Sequence, residues 1–491
     1  MLGDDAATTY LRASRPVSAE LADVPLVAAE GEVPRDLAGV LYRNGPGTDE
    51  WQGTRYRHPF DGDGHVVRFA FEEGRVRYTN RFVRTREREE EQRAGRMLYR
   101  SFGTNLPGGL RANALRLRFK NAANTSVVHH GGKLLALWEG GVPHRLDPRT
   151  LATIGRETFA GRLDNRLSRI EAALAPELPF SAHPKIDPDT GELVGFGTLL
   201  GRTPRLVRYR ASASGELDAP EIDDLERLVF VHDFVLTRRY AIFFLAPVAF
   251  RVLAALSGLL PPAEALTTLD RPTEVRLVPR DGGPVVVLEA SASFIFHFAF
   301  GHDEPDGSVT VVGMRMPRFP SAEIVRAALA GRGTFPHAIP TRFVLSPHGR
   351  TVHEEALCEE PAELPTVHQP TYARAPDAFF STCGEAGQRQ PFQHRLQAWD
   401  VGRARRRALR DFGHDLPGEP VFALPGYVLS LVYRAAEHRS DLYILDPERL
   451  ATVARVPLPH HVPPGFHGQW VPALPEGQGF SKEGASLTGR S

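Results

Sequence analysis

Cysteine is almost missing from this chain: Cys358 and Cys383 are the only two among 491 residues. Two thiols cannot make a disulfide framework, and a reducing compartment is the setting that leaves them free. An excess of either charge is missing too. Lys+Arg and Asp+Glu both number 59, so no global field gathers phosphates or anionic surfaces, and nucleic acid is a poor partner. The run Arg403-Ala404-Arg405-Arg406-Arg407 and the Arg/Glu mixture across 84–96 read as solvated surface. No apolar run reaches the roughly 18 residues of a bilayer span. The first fifteen residues carry Asp4 and Asp5 and no apolar core of a secretory signal, so the expected location is the cytoplasm. Local metal signatures are also absent, with no Cys-x-x-Cys and no His-Glu-x-x-His. A metal site in this chain has to be assembled from residues far apart in sequence.

What the chain does have is an ordinary globular balance, 42% hydrophobic and 24% charged, which is enough to bury a large core. Its 45 glycines and 41 prolines are spread along the whole length, so turns are frequent everywhere. Between them lie short runs of strand length and composition, at 65–71, 133–138, 308–312 and 427–433. Leu146-Asp147-Pro148, Ile186-Asp187-Pro188 and Leu445-Asp446-Pro447 each end an apolar run with an Asp-Pro turn, the first two 40 residues apart. That spacing suits a four-stranded propeller blade, and blades closed in a ring leave no long exposed sheet edges. One segment breaks the strand rhythm. After Pro247, helical spacing puts Ala249, Val252, Leu253, Leu256 and Leu260 on one face. Arg251 and Pro261-Pro262 exclude a membrane span, and the segment 240–262 reads either as a buried helix in an insertion or as an apolar patch for peripheral membrane contact. The expected organisation is an N-terminal extension at 1–30, one all-β propeller domain at 31–475 and a loose tail at 476–491.

Four of the 19 histidines stand apart by context. His183 lies in Phe180-Ser181-Ala182-His183-Pro184, His232 in Val229-Phe230-Val231-His232-Asp233-Phe234, His297 in Phe294-Ile295-Phe296-His297-Phe298 and His467 in Gly465-Phe466-His467-Gly468. An unpaired imidazole in such surroundings costs free energy, so something should satisfy each ring. A ring of blades can aim one residue of each innermost strand at its axis. Taken singly, each histidine is better explained by a buried structural role. Asp61-Gly62-Asp63-Gly64 with Glu72 is no calcium loop, because Val66 occupies the position that requires glycine; a tight turn before a strand fits better.

Nine words occur in order from Gly31 to Pro472: Arg43-Asn44-Gly45-Pro46-Gly47, Phe60-Asp61-Gly62-Asp63-Gly64, Ala123-Asn124-Thr125, Leu137-Trp138-Glu139, Ser181-Ala182-His183-Pro184, His232-Asp233-Phe234, Ile295-Phe296-His297, Glu419-Pro420-Val421-Phe422 and Gly465-Phe466-His467-Gly468. Together they resemble the carotenoid cleavage oxygenases. The resemblance implies a seven-bladed β-propeller with a cap of loops and short helices over an axial non-haem Fe(2+). It assigns the metal to His183, His232, His297 and His467, and hydrogen bonds from those imidazoles to Glu139, Glu363 and Glu419. A carboxylate on one ring nitrogen fixes the tautomer that offers the other nitrogen to a metal. Affinity alone would allow zinc or copper at four imidazoles; it is the resemblance that selects iron, a metal able to activate O2.

The same resemblance places Trp138, Phe230 and Phe296 along a tunnel for an apolar polyene and Thr125 near the metal. Stilbene-cleaving relatives carry lysine where this chain has Trp138, which favours a carotenoid or apocarotenoid cleaved at a carbon–carbon double bond to aldehyde or ketone products, such as a retinal-like aldehyde. No side chain is expected to act as general acid or base. The alternatives are a stilbene substrate, a non-cleaving carotenoid or retinoid binder, and a polyene isomerase. Two departures stand out. Phe298-Ala299 follows His297 where the family has an Asn-Ala pair, with His302 nearby as a rival ligand, and the connection from Glu419 to Val428 is short.

Overall fold

The computed structural model describes residues 6–51, 53–116, 118–167, 169–200, 203–330, 332–368, 374–389 and 391–473. The tail expected at 476–491 lies outside them. Among these residues, seven antiparallel sheets of at least four strands follow one another around a ring. Blade one opens its outer part with Gly39–Pro46, and blades two to six begin at the axis with Ser126–His130, Lys185–Ile186, Val235–Leu236, Phe294–Asp303 and Ala362–Val367. Blade seven has its axial edge at Leu416–Pro417 and Val421–Ala423. The innermost strand of blade one comes from the far end of the chain: Gly468–Pro472 pairs antiparallel with Gly39–Pro46, Arg43 opposite Gly468. The other end helps as well, since Glu30–Gly31 adds to Thr452–Pro457 of blade seven and Val24–Leu26 to the outer edge of blade one. The segment expected as an N-terminal extension thus contributes strands to both blades that meet at the closure.

Apolar side chains of neighbouring blades interlock to form the core. At the closure, Leu41, Phe69 and Tyr78 of blade one pack on Leu429, Leu442 and Ile444 of blade seven, all fully buried. Burying each such side chain contributes ~1.5–3 kcal/mol. The chains cross closely here. A Cβ added to Gly45 would come within 2.5 Å of the Gly465 Cα, so only glycine fits.

The three Asp-Pro turns share one geometry. Asp147 Oδ1 accepts from the Arg149 and Thr150 amides, Asp187 Oδ1 from Asp189 and Thr190, and Asp446 Oδ1 from Glu448 and Arg449. Each is a carboxylate closing its own turn. Asp147 and Asp187 do sit in successive blades, but Asp147 joins the third and fourth strands of its blade and Asp187 the first and second. Their 40-residue spacing is therefore not the blade period. All three turns lie at the end of the ring where innermost strands finish.

The opposite end carries the cap. Helices Arg86–Ala94, Gly109–Asn113, Arg169–Leu174 and Ala322–Leu329 occupy its long connections. The 240–262 segment differs from the helix its spacing predicts. Tyr240–Leu245 is a buried blade strand, Val248–Phe250 pairs with Leu266–Thr268, and helix remains only at Val252–Leu256 and Pro262–Ala265. Pairing with a partner 18 residues downstream satisfies the backbone that the periodicity assigned to helix. Leu253 is left 84% exposed and Leu259 63% exposed. Among the described residues, no helix is long and apolar enough to cross a membrane.

Candidate metal centre

Four blades each deliver one histidine to the cap end of the axis. His183 and His232 stand just before the innermost strands of blades three and four, His297 lies near the start of Phe294–Asp303, and His467 directly precedes Gly468–Pro472. One ligand atom from each lies within 4.8 Å of the others. The Nε2 atoms of His183 and His232 are 2.9 Å apart, those of His232 and His297 3.2 Å. A metal about 2.1 Å from each nitrogen places neighbouring donors ~3.0 Å apart in an octahedral frame and ~3.4 Å in a tetrahedral one. These residues fit a divalent ion.

The other three blades supply carboxylates. Glu139, in the connection after Lys133–Leu137 of blade two, meets His232 Nδ1. His297 Nδ1 donates to Glu363 Oε2 of blade six at 2.5 Å, and His467 Nδ1 to Glu419 Oε1 of blade seven at 2.8 Å. With Nδ1 protonated and held, Nε2 is the free donor that faces the common point. Electrostatics favour the neutral form at two of the four rings. Burial, helped by the neighbouring imidazoles, holds His183 and His467 well below the usual histidine range. At His232 burial is the largest effect and pulls down as well, but the Glu139 carboxylate, joined by Asp233 and Glu363, makes the net shift upward. Burial pushes Glu419 up to about 7 against the pull of the Arg43 guanidinium.

Local backbone irregularities aim these groups. Two register shifts, between Ile295 and Phe298 and between Phe298 and Phe300, interrupt the pairing of the His297 strand. Bulges of this kind re-aim side chains next to functional sites. Asp233 braces the bulge: its Oδ2 accepts from the Phe298 amide at 3.0 Å, while Oδ1 accepts from the Phe234 amide and pairs with Lys185. Phe298, standing where an Asn-Ala pair was expected, is buried against Gly313, where a Cβ would approach the ring to 2.9 Å. A third shift follows Glu363, and Leu364 holds a φ of 52°, a strained conformation for leucine.

His302 does not join the cluster. It lies five residues further along the same strand, ~16 Å of extended chain, and pairs with Glu304 at 3.0 Å. Sequence reasoning missed Arg43 and Asp233 as positioning residues, although both stand inside the quoted words. Arg43, 3% exposed, donates to the Glu419 carbonyl and carboxylate and to the Phe466 carbonyl, tying the last histidine loop to the first blade.

A cavity of about 1070 Å³ borders His232, His297 and His467 and is lined by Trp138, Phe230, Phe296 and Thr125, all four expected positions. It also takes in Phe60, Phe102, Phe250, Phe335, Phe392 and Phe466, which the sequence did not single out. Phe60, Phe102, Phe230 and Phe294 stack in turn at centroid distances of 6.1, 6.3 and 5.9 Å. Only Phe60 and Phe466 had a signal, lying within quoted words.

The family model described as retinal pigment epithelial membrane protein matches residues 14–472. The apocarotenoid-15,15'-oxygenase of Synechocystis sp. is 35% identical over 90% of this chain and 92% of its own. This chain belongs to the carotenoid cleavage oxygenase family. Within the family it is also 28% identical to the isoeugenol monooxygenase of Pseudomonas nitroreducens, over 93% of this chain and 96% of the relative. A cobalt-substituted form of the Synechocystis enzyme superimposes with a TM-score of 0.87 and 33% identity, covering 95% of this chain and 99% of that one. The family's fold is the seven-bladed propeller described above.

Proposed function

We propose that this chain is a non-haem iron oxygenase that cleaves a carbon–carbon double bond of a carotenoid or apocarotenoid with O2. The observation that carries the reading is the convergence of four imidazoles from four blades beside one large aromatic cavity. His183, His232, His297 and His467 hold the metal, and Glu139, Glu363 and Glu419 fix three of their tautomers. A divalent ion and the Arg43 guanidinium balance the three carboxylates, so the centre stays neutral when buried. Iron, when bound, supplies the ability to activate O2, which an alkene by itself meets only slowly.

Cleavage of an alkene by O2 places one oxygen atom on each carbon and gives two carbonyl products. No proton is consumed or released. Accordingly no general acid or base is needed, and the carboxylates are committed to the histidines. The protein's remaining task is to bind and orient. Trp138, Phe230 and Phe296 present flat apolar faces that stack along a polyene and exclude water, and Thr125 borders the same space.

A phenolic alkene is the second reading, favoured by the similarity to an isoeugenol monooxygenase. Against it stand Trp138 where stilbene-cleaving relatives carry lysine, and a cavity larger than a single phenol ring fills. Membrane contact is part of the proposal: Leu253, Leu259, Leu115 and Leu110 are 84%, 63%, 81% and 53% exposed, the Leu115 amide bonds to the Leu256 carbonyl, and Leu115 and Leu256 line the cavity. An apolar surface continuous with the cavity suits collection of a lipophilic substrate from one leaflet. The test is iron-loaded protein with apocarotenals under O2. Oxygen uptake with shortened aldehydes is expected. Retention of the full polyene spectrum without uptake points to a binder, and a rearranged polyene of unchanged length to an isomerase; either overturns the reading.

A further inference from the structure

His144 is a buried histidine that the proposed chemistry does not use. It opens the short strand His144–Leu146 of blade two, opposite Ala136 on one side and Arg156 on the other. It is 2% exposed and lines the same cavity as the metal-facing histidines. Neither ring nitrogen has a hydrogen-bond partner among the described residues. A neutral imidazole carries one donor and one acceptor, and leaving both unmade in a buried site is costly. Burial, with the neighbouring Arg156 charge, holds this ring down at about 4, so it is the neutral form that lacks partners. Trp138, Phe230 and Phe296 bring aromatic faces to the cavity wall beside the metal-facing histidines.

The surroundings of His144 differ from that aromatic wall. Arg86, Glu87, Arg118, Arg156 and Glu177 line the same cavity. The charges are already matched: Arg118 meets Glu87 at 2.7 Å, Arg86 meets Glu90 at 2.6 Å, and Arg156 meets Glu177. A rim of closed ion pairs has no net charge left for an anion, but it is polar and partly exposed, and it stands beside a ring short of hydrogen bonds.

We propose that His144 and this arginine–glutamate rim form a subsite for the uncharged oxygen-bearing end of the polyene, an aldehyde or hydroxyl group, and thereby fix which way round an asymmetric substrate lies. Small rotation of the imidazole brings a ring nitrogen to the ligand oxygen, which supplies the partner that the protein does not. The polar end then lies at the rim and the hydrocarbon runs past Trp138 toward the metal. This subsite rests on the proposed reading of the cavity as a polyene site, though not on turnover.

Binding tests it directly. Quenching of tryptophan fluorescence gives Kd for three probes of equal chain length, ending in an aldehyde, a carboxylate or a methyl group. The parent protein is expected to bind the aldehyde about tenfold more tightly than the methyl-ended polyene and no less tightly than the carboxylate. His144→Leu should erase the tenfold preference while leaving the methyl-ended Kd within about twofold, and His144→Gln, which keeps a donor and an acceptor, should restore most of it. Equal Kd values for aldehyde and methyl ends in the parent, or equal losses for both in His144→Leu, overturn the subsite. Oxygen uptake measured on the same samples separates the two claims: binding preference without cleavage sinks the proposed reaction and keeps the subsite, and cleavage without preference does the reverse.

Discussion

Replacing Glu419 with glutamine removes one charge from the centre and changes almost no volume. The carboxylate is 5% exposed and saturated: Oε1 accepts from His467 Nδ1 at 2.8 Å, and Oε2 from the Gly468 amide at 2.8 Å and from Arg43 at 3.4 Å. A glutamine can offer its oxygen to one of these sides only, and its NH2 then faces a donor. Loss of one such outer partner typically weakens metal binding 10–100-fold, about 1.4–2.8 kcal/mol. The pH dependence gives an independent mark. In the metal-free protein Glu419 sits at about 7 instead of its ordinary 4.5, so between those values the folded state holds a proton that the unfolded chain has released. Its contribution to stability is complete below 4.5 and disappears as pH rises through 7. Metal must displace that proton, so affinity should climb as pH rises toward 7 and above. In Glu419→Gln the metal should displace one proton fewer. Competition against a coloured chelator at pH 6, 7 and 8 measures both effects. A variant that binds as tightly as the parent, with an unchanged pH slope, refutes the assignment of Glu419 to the centre.

His297→Ala should abolish metal binding and turnover, whereas His302→Ala should leave metal content within about twofold, because its partner is Glu304; metal analysis of the purified variants decides. Asp233→Ala strips the acceptor from the Phe298 and Phe234 amides and should cost about 1–3 kcal/mol in urea unfolding, with weakened metal binding because the His297 bulge loses its brace. The double change Leu253→Glu with Leu259→Glu should reduce co-sedimentation with neutral lipid vesicles several-fold, while each exposed site alters stability by no more than about 0.5 kcal/mol.

The four histidines stood out because each interrupts an apolar or glycine-flanked word, where a polar ring needs a reason, but it was the resemblance that joined them into one ligand set. Glu139, Glu363 and Glu419 were legible only through the resemblance, since a lone carboxylate at a strand end looks like any surface residue. Arg43 and Asp233 show what a linear reading loses. Their partners lie hundreds of residues away in one case and one blade away in the other, and hydrogen bonds to backbone leave no pattern in sequence. The cavity wall fails for the same reason, because Phe102, Phe250, Phe335 and Phe392 come from four separate connections. At 248–250 a helical spacing gave way to strand pairing with Leu266–Thr268, a tertiary partner overriding local periodicity.

Every blade contributes one member of the centre, four a histidine and three a glutamate. The pairs also cross blade boundaries: Glu139 of blade two reaches His232 of blade four, Glu363 of blade six reaches His297 of blade five, and Glu419 of blade seven reaches His467 of blade one. The last pair spans the seam where the two ends of the chain meet. A set of blades that has not closed therefore lacks both His467 and the position of Glu419, so the complete donor set exists only in the finished ring. A metal that binds the closed ring and not the open one must stabilise closure by RT ln(1 + [M]/Kd). Metal content and global unfolding are then coupled through the same seam that the Gly468–Pro472 strand zips shut, even though the ion touches none of the apolar core.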